Sequence, residues 1–211
     1  MSAAKRRQRG YFIVLDGPDG SGKSTQARLL SARLEEAGIR VLSVRDPGGT
    51  PVGERLREVL LDPGLPDMAP LTEMLLYMAS RAELVARVVR PAIDSGVTVV
   101  SDRFISSTIV YQGCAGGIEP RDIVRVGKLA CRGLRPDLVI ILDLPAAEGF
   151  KRLRRAHDRM ERKGAEFHKR VAAGFRRLAR SDRRRHVLID ARGPVDAVAD
   201  SVWKAVQRVV C

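Results

Sequence analysis

Gly17-Pro18-Asp19-Gly20-Ser21-Gly22-Lys23-Ser24 fits the pattern G-x-x-x-x-G-K-[ST]. An apolar run over residues 11–15 precedes it, and a helical pattern over residues 25–37, opening at Thr25, follows. Strand, glycine loop and helix in that order form the setting of a phosphate-binding P-loop. The glycines let backbone N–H groups turn toward phosphate oxygens, and the helix N-terminus adds about half a positive charge. Residues 17–25 are therefore the expected cradle for a nucleotide triphosphate. Lys23 is expected to reach its outer phosphates, and the Ser24 hydroxyl to ligate Mg²⁺.

Four further β-branched or apolar runs lie at residues 41–44, 97–101, 138–142 and 186–189, with helical patterns between them. Strands alternating with helices predict βαβ units and an α/β fold built on a five-stranded parallel sheet. Each run ends at or beside an aspartate: Asp16, Asp46, Asp102, Asp143 and Asp190. Ligands of open α/β sheets sit beyond the carboxyl ends of the strands. Asp16, Asp46 and Asp102 stand beside other polar signals and are read as functional. Asp143 and Asp190 are read as turn residues. The longest helical pattern, over residues 71–93, contains Pro91 near its end, where a proline kinks or stops a helix.

At 211 residues, the chain suits one domain with a small insertion. No apolar run approaches the ~20 residues of a membrane span. Cys114, Cys131 and Cys211 are odd in number and lack CxxC spacing, which points to a reducing compartment, the cytoplasm by default. The net charge of +13 is concentrated in residues 151–186, which hold 15 Lys and Arg against 4 Asp and Glu. Four more basic residues fall within 5–9. Such a block predicts an anionic partner, either nucleic acid or a nucleotide triphosphate. Only Phe167 and Phe175 interrupt it, whereas single-strand binders usually add aromatic stacking platforms. The stretch 152–170, rich in arginine, reads as a solvated, mobile excursion, a candidate lid.

Four constellations narrow the chemistry. Arg45-Asp46-Pro47-Gly48-Gly49-Thr50 makes a tight loop after the second strand and holds Arg45 and Asp46 at the ligand edge. Asp102-Arg103 follows the third strand. Arg103 can grip a phosphate in bidentate fashion, and Asp102 can hold Mg²⁺ directly or through water. Tyr77 and Arg81 are four apart, hence on one helix face, where a ring can stack on a base and a guanidinium can donate to it. Ser106-Ser107-Thr108 and Tyr111-Gln112-Gly113 offer hydroxyls and an amide near the same edge.

Taken together, and over nearly the whole chain, these motifs resemble the thymidylate kinase family. The P-loop, an R-E-P-G-G-T-like loop at residues 45–50, Asp102-Arg103 with Tyr111-Gln112-Gly113, and Ile189-Asp190-Ala191 occur in the family's order. The resemblance implies a P-loop kinase fold over residues 11–211, after a basic tail over residues 1–10, with a lid near residues 152–166. It implies phosphorylation of dTMP by ATP with Mg²⁺, and a homodimer with no specific nucleic-acid partner. It implies that Arg45 and Arg103 hold the acceptor phosphate, and that Arg57 and Arg81 line the thymine pocket. Tyr77 takes the place of a stacking Phe, Ser107, Thr108 and Gln112 lie near the base, and Tyr111 crowds the sugar 2′ position. Asp16 matches the acidic residue before the loop's first glycine. Some members carry a catalytic arginine inside the P-loop. Gly20 occupies that position here, which implies a lid arginine, Arg159 first and Arg155 second. Three departures stand out: Asp46 replaces the usual Glu, Ser80 replaces a frequent Asp, and Cys114 interrupts a run that is often Gly-Gly. The alternatives are a P-loop kinase for another nucleotide or nucleoside, and a basic nucleic-acid-binding ATPase.

Overall fold

A computed structural model describes residues 9–65, 67–153 and 158–210. Five parallel strands, β1 (Phe12–Asp16), β2 (Val41–Arg45), β3 (Thr98–Asp102), β4 (Leu138–Asp143) and β5 (His186–Asp190), form one sheet in the order β2-β3-β1-β4-β5. All five fall within about a residue of the predicted runs. Four of the five aspartates prove to be the last residues of their strands; Asp46 lies one residue beyond β2.

Alternation along the strands divides the core. Phe12 and Val14 of β1 pack on one face, and Ile13 and Leu15 on the other, all fully buried. A parallel sheet must cover both faces, because its crossover helices lie on them. Helices α1 (Lys23–Glu36) and α9 (Val195–Val210) cover the second face through Leu30, Leu34, Val202 and Val206. The first is covered by α3 (Pro70–Leu84), by residues of the short α5 (Ile105–Thr108) and its π-helical continuation, and by α8 (Ala165–Ser181). α2 (Pro51–Leu61) packs on α3, and α6 (Pro120–Ala130) lies beside α3. α4 (Arg90–Asp94) continues α3 through a π-helical turn, Val85–Val89, so the predicted long helix persists past Pro91. The widened turn falls just before the proline, where a regular α-turn would meet its ring.

Two expectations change here. Arg9 and Gly10, predicted as tail, are tied to the fold: Arg9 pairs with Asp137, and the Gly10 N–H donates to the Ile93 carbonyl at 2.8 Å. The stretch 152–170, predicted as solvated, keeps exposed residues such as Arg162, Glu166 and Arg170 but is anchored by buried ones among its described residues. Arg159, Met160, Glu161, Phe167 and His168 are buried, and Phe167 with Val171 and Phe175 joins the cluster around Tyr111. Met160 and Phe167 turn inward, which a count of charges does not reveal. Arg155 and His157 lie outside the described residues.

Candidate active site

The site is built where β1, β2 and β3 end. After Asp16 the chain turns through Gly17, Gly20 and Gly22, all at positive φ, and enters α1 at Lys23. Gly20 is constrained twice. Its φ is 74°, and a Cβ there would stand 2.1 Å from the Gly149 carbonyl oxygen. Gly149 lies on α7 (Ala146–Arg152), so loop and helix meet backbone to backbone. No side chain fits at position 20 without moving one of them.

Lys23 is folded back beneath the loop, donating to the Pro18 carbonyl at 2.8 Å. Burial and the nearby Arg103 lower its amine to about 8. The Ser24 hydroxyl donates to Asp102 at 2.5 Å, which brings the two predicted Mg²⁺ ligands together. Among the described residues no cluster of three or more His, Cys, Asp or Glu could form a metal cage. A hydroxyl and one carboxylate suit Mg²⁺ completed by phosphate oxygens and water.

Arg103 sits between the glycine loop and α5. Its φ is 72°, unusual for a residue with a side chain. Its guanidinium donates to the Gly17 carbonyl at 3.1 Å, to the Ser107 hydroxyl at 2.9 Å and to Asp19. The Tyr111 ring lies beneath it at 5.2 Å, and the Tyr111 hydroxyl donates to Asp19 at 2.8 Å. Burial works to raise the Asp19 carboxyl, but Arg103, Lys23 and Tyr111 hold it below the usual range. Asp16 is fully buried beneath this group. Its Oδ1 accepts from the Gly17 N–H at 3.0 Å and from Ser107 at 2.6 Å, and burial holds its carboxyl above the usual range.

On the acceptor side, Thr50 caps α2 by accepting the Gly53 N–H at 2.9 Å. Glu54 ties the glycine loop to Arg45, accepting from the Gly49 N–H and from Arg45 at 2.7 Å each. Arg57 donates to the Pro47 carbonyl at 2.9 Å. Arg81 is almost wholly buried: Nε donates to Asp46 at 2.6 Å and Nη2 to the Thr108 hydroxyl at 3.0 Å. Asp46 is thus the anchor of Arg81. Its carboxylate is turned to that guanidinium, a contact for which the shorter side chain suffices. Ser80, in place of the frequent Asp, accepts the Gly48 N–H at 3.0 Å.

One cavity of about 730 Å³ joins these groups. Its walls include Lys23, Ser24, Asp102 and Arg103 at the loop end, and Arg45, Arg57, Tyr77, Arg81, Thr108 and Gln112 at the other. Arg159 is not among them. It is buried with its Nη1 at 2.6 Å from Glu73 and its Nε donating to the Leu60 carbonyl, so the structure turns the first-choice lid arginine away from the cavity. Arg152, at the end of α7, does border the cavity. The sequence also left unmarked Glu73, which receives Arg159, Lys163 and Gln112. A signal existed: Glu73, Tyr77 and Arg81 are spaced by four and share one helix face.

The thymidylate kinase sequence model matches residues 15–202 of this chain. The chain belongs to the thymidylate kinase family. A thymidylate kinase of Deinococcus radiodurans is 44% identical over 199 residues, covering 93% of this chain and 96% of that one. One from a Synechococcus species is 45% identical over 198 residues, covering 93% and 94%. The crystal structure of thymidylate kinase from Ehrlichia chaffeensis superposes with a TM-score of 0.76 at 31% identity, covering 94% of this chain and 99% of that one. The alternatives of a P-loop kinase for another nucleotide or nucleoside and of a basic nucleic-acid-binding ATPase therefore give way to the thymidylate kinase family. Part of the basic block is also spent internally: Arg159 and Lys163 face Glu73, and Arg176 faces Asp143.

Proposed function

We propose that this chain transfers the γ-phosphoryl group of ATP to dTMP, giving ADP and dTDP. The observation that carries the proposal is the continuous cavity with the P-loop at one end, Arg81, Tyr77 and Gln112 at the other, and Arg103 between them. The acceptor is a phosphate with a second pKa near ~6, already dianionic at neutral pH, so the reaction needs no general base. The obstacle is bringing two anions together in line. Backbone N–H groups of residues 20–25 and Lys23 hold the donor phosphates. Arg45 and Arg103 receive the acceptor phosphate, releasing the internal partners they now hold, and Arg57 stands with Arg81 at the thymine pocket. Arg103 touches both ends and supplies charge where it develops in transfer. Ser24 and Asp102 would hold Mg²⁺, which would neutralise the donor phosphates. Arg81 and Gln112, with Ser107 and Thr108 nearby, read the base, Tyr77 stacks on it, and Tyr111 lies against the sugar. Asp16 acts indirectly, fixing Ser107 and the start of the loop. Arg152 is the described arginine of the predicted lid placed to approach the donor, while Arg159 braces the segment.

Exposed Val59, Leu71, Leu75, Val124 and Leu129 on the neighbouring helices α2, α3 and α6 support a homodimer. The free thiols of Cys114 and Cys131 suit the cytoplasm. Among the described residues no helix is long and apolar enough to cross a membrane. An ADP-release assay with dTMP, dUMP, dCMP, dGMP and AMP tests the proposal. Turnover should be greatest with dTMP and weaker with dUMP, since one methyl group discriminates by only ~1–3 kcal/mol. A preference for another acceptor would refute the substrate assignment.

A further inference from the structure

Gln112 borders the cavity, yet one end of its amide is already committed. Its Nε2 donates to Oε1 of Glu73 at 2.8 Å. Glu73 is buried on α3 and also faces Lys163 Nζ at 3.2 Å and Arg159 Nη1 at 2.6 Å. Burial alone would raise its carboxyl, but Gln112, Lys163 and Arg159 hold it below the usual range. An ionised carboxylate only accepts hydrogen bonds. The amide next to it must therefore turn its nitrogen to Glu73 and commit one N–H there, which fixes Oε1 as the end of the amide that can accept from a ligand. A flipped amide would set two acceptors against each other.

We infer that Glu73 is a positioning residue for base choice: it locks the Gln112 amide as a hydrogen-bond acceptor toward the cavity. The inference rests on the proposed nucleotide acceptor. A base with a ring N–H at that edge, as in thymine and uracil, satisfies the acceptor. Cytosine presents a lone pair at the same position and leaves two acceptors opposed. Sites that hydrogen-bond a substrate group discriminate strongly against analogues lacking it. The same carboxylate holds Arg159 and Lys163, so seating of the segment before α8 and orientation of the base-reading amide depend on one charge.

The test compares kcat/KM for dTMP, dCMP and dUMP in the unaltered chain and in Glu73→Gln. A glutamine at 73 can offer either end to Gln112, so the amide is no longer locked. The dTMP-to-dCMP ratio should fall by at least about tenfold. The dTMP-to-dUMP ratio should stay unchanged, because both bases carry the ring N–H; a merely structural role would not separate the two ratios. Lys163→Ala removes another arm of the network and should leave both ratios as they are. If Glu73→Gln does not fold, Glu73→Asp keeps the charge for Arg159 and Lys163 but withdraws the oxygen from Gln112, and the dCMP ratio should again fall. A folded variant of either kind with the original dTMP-to-dCMP ratio overturns the inference. Absence of dTMP turnover in the unaltered chain would instead overturn the proposed function.

Discussion

Replacing Asp46 with alanine strips Arg81 of its charge partner in a site where both side chains are essentially sealed from water. The guanidinium would keep the Thr108 hydroxyl and the Met78 sulfur, neither of which carries charge. Breaking such a buried pair from one side costs roughly 3–5 kcal/mol, because the remaining charge is left desolvated. For a chain of this size that corresponds to a fall in Tm of roughly 6–20 °C, at about 2–4 °C per kcal/mol. The double variant Asp46→Ala/Arg81→Met removes both charges and fills the space with an unbranched apolar chain, so it should regain much of the lost stability. Urea unfolding of the four proteins in the cycle, with m-values checked for constancy, measures the coupling. The double variant should be more stable than Asp46→Ala alone, while dTMP turnover falls in both. A double variant as unstable as the sum of the two single changes, or an Asp46→Ala protein within about 0.5 kcal/mol of the parent, would refute the buried pair as the anchor of Arg81.

Lys23, lowered to about 8, should regain its proton when phosphates arrive, so ATP binding near pH 8.5 should take up protons. Calorimetry in buffers of different ionisation enthalpy reads this directly, and buffer-independent heats would contradict it. In the empty protein the unfolded state binds more protons at this lysine between about pH 8 and 10.5, so its contribution makes stability rise with pH across that window; below it, the folded state bears the cost of a buried charge. Gly20→Ala should raise KM for ATP at least tenfold, about 1.4 kcal/mol, since a left-handed φ and the Gly149 carbonyl both oppose a Cβ. An unchanged KM would mean the loop and α7 separate freely.

The strands were legible because both faces of a parallel sheet are buried, which forces continuous apolar runs such as Phe12–Asp16 and Leu138–Asp143. The phosphate loop was legible because backbone geometry imposes its glycine spacing. Side-chain partnerships were less so. Asp46 and Arg81 are 35 residues apart, and only the fold shows that the aspartate binds the arginine. Arg159 illustrates the opposite case. An arginine in a charged stretch looks solvated until a distant Glu73 is known to receive it. Glu73 itself was hidden because one glutamate on a helix is ordinarily surface, and its burial depends on three partners from other elements.

The backbone contact between Gly20 and Gly149 also bears on how such a chain can change over generations. An arginine arising at position 20 would strike the carbonyl of α7 before it could reach any phosphate, so that single step passes through a loop forced open. α7 must first shift or shorten at Gly149, and that change would disturb the segment leading to Arg152. Placing an arginine side chain in the loop therefore takes more than one substitution in this chain. The order of such changes is constrained by two glycines with no side chains of their own.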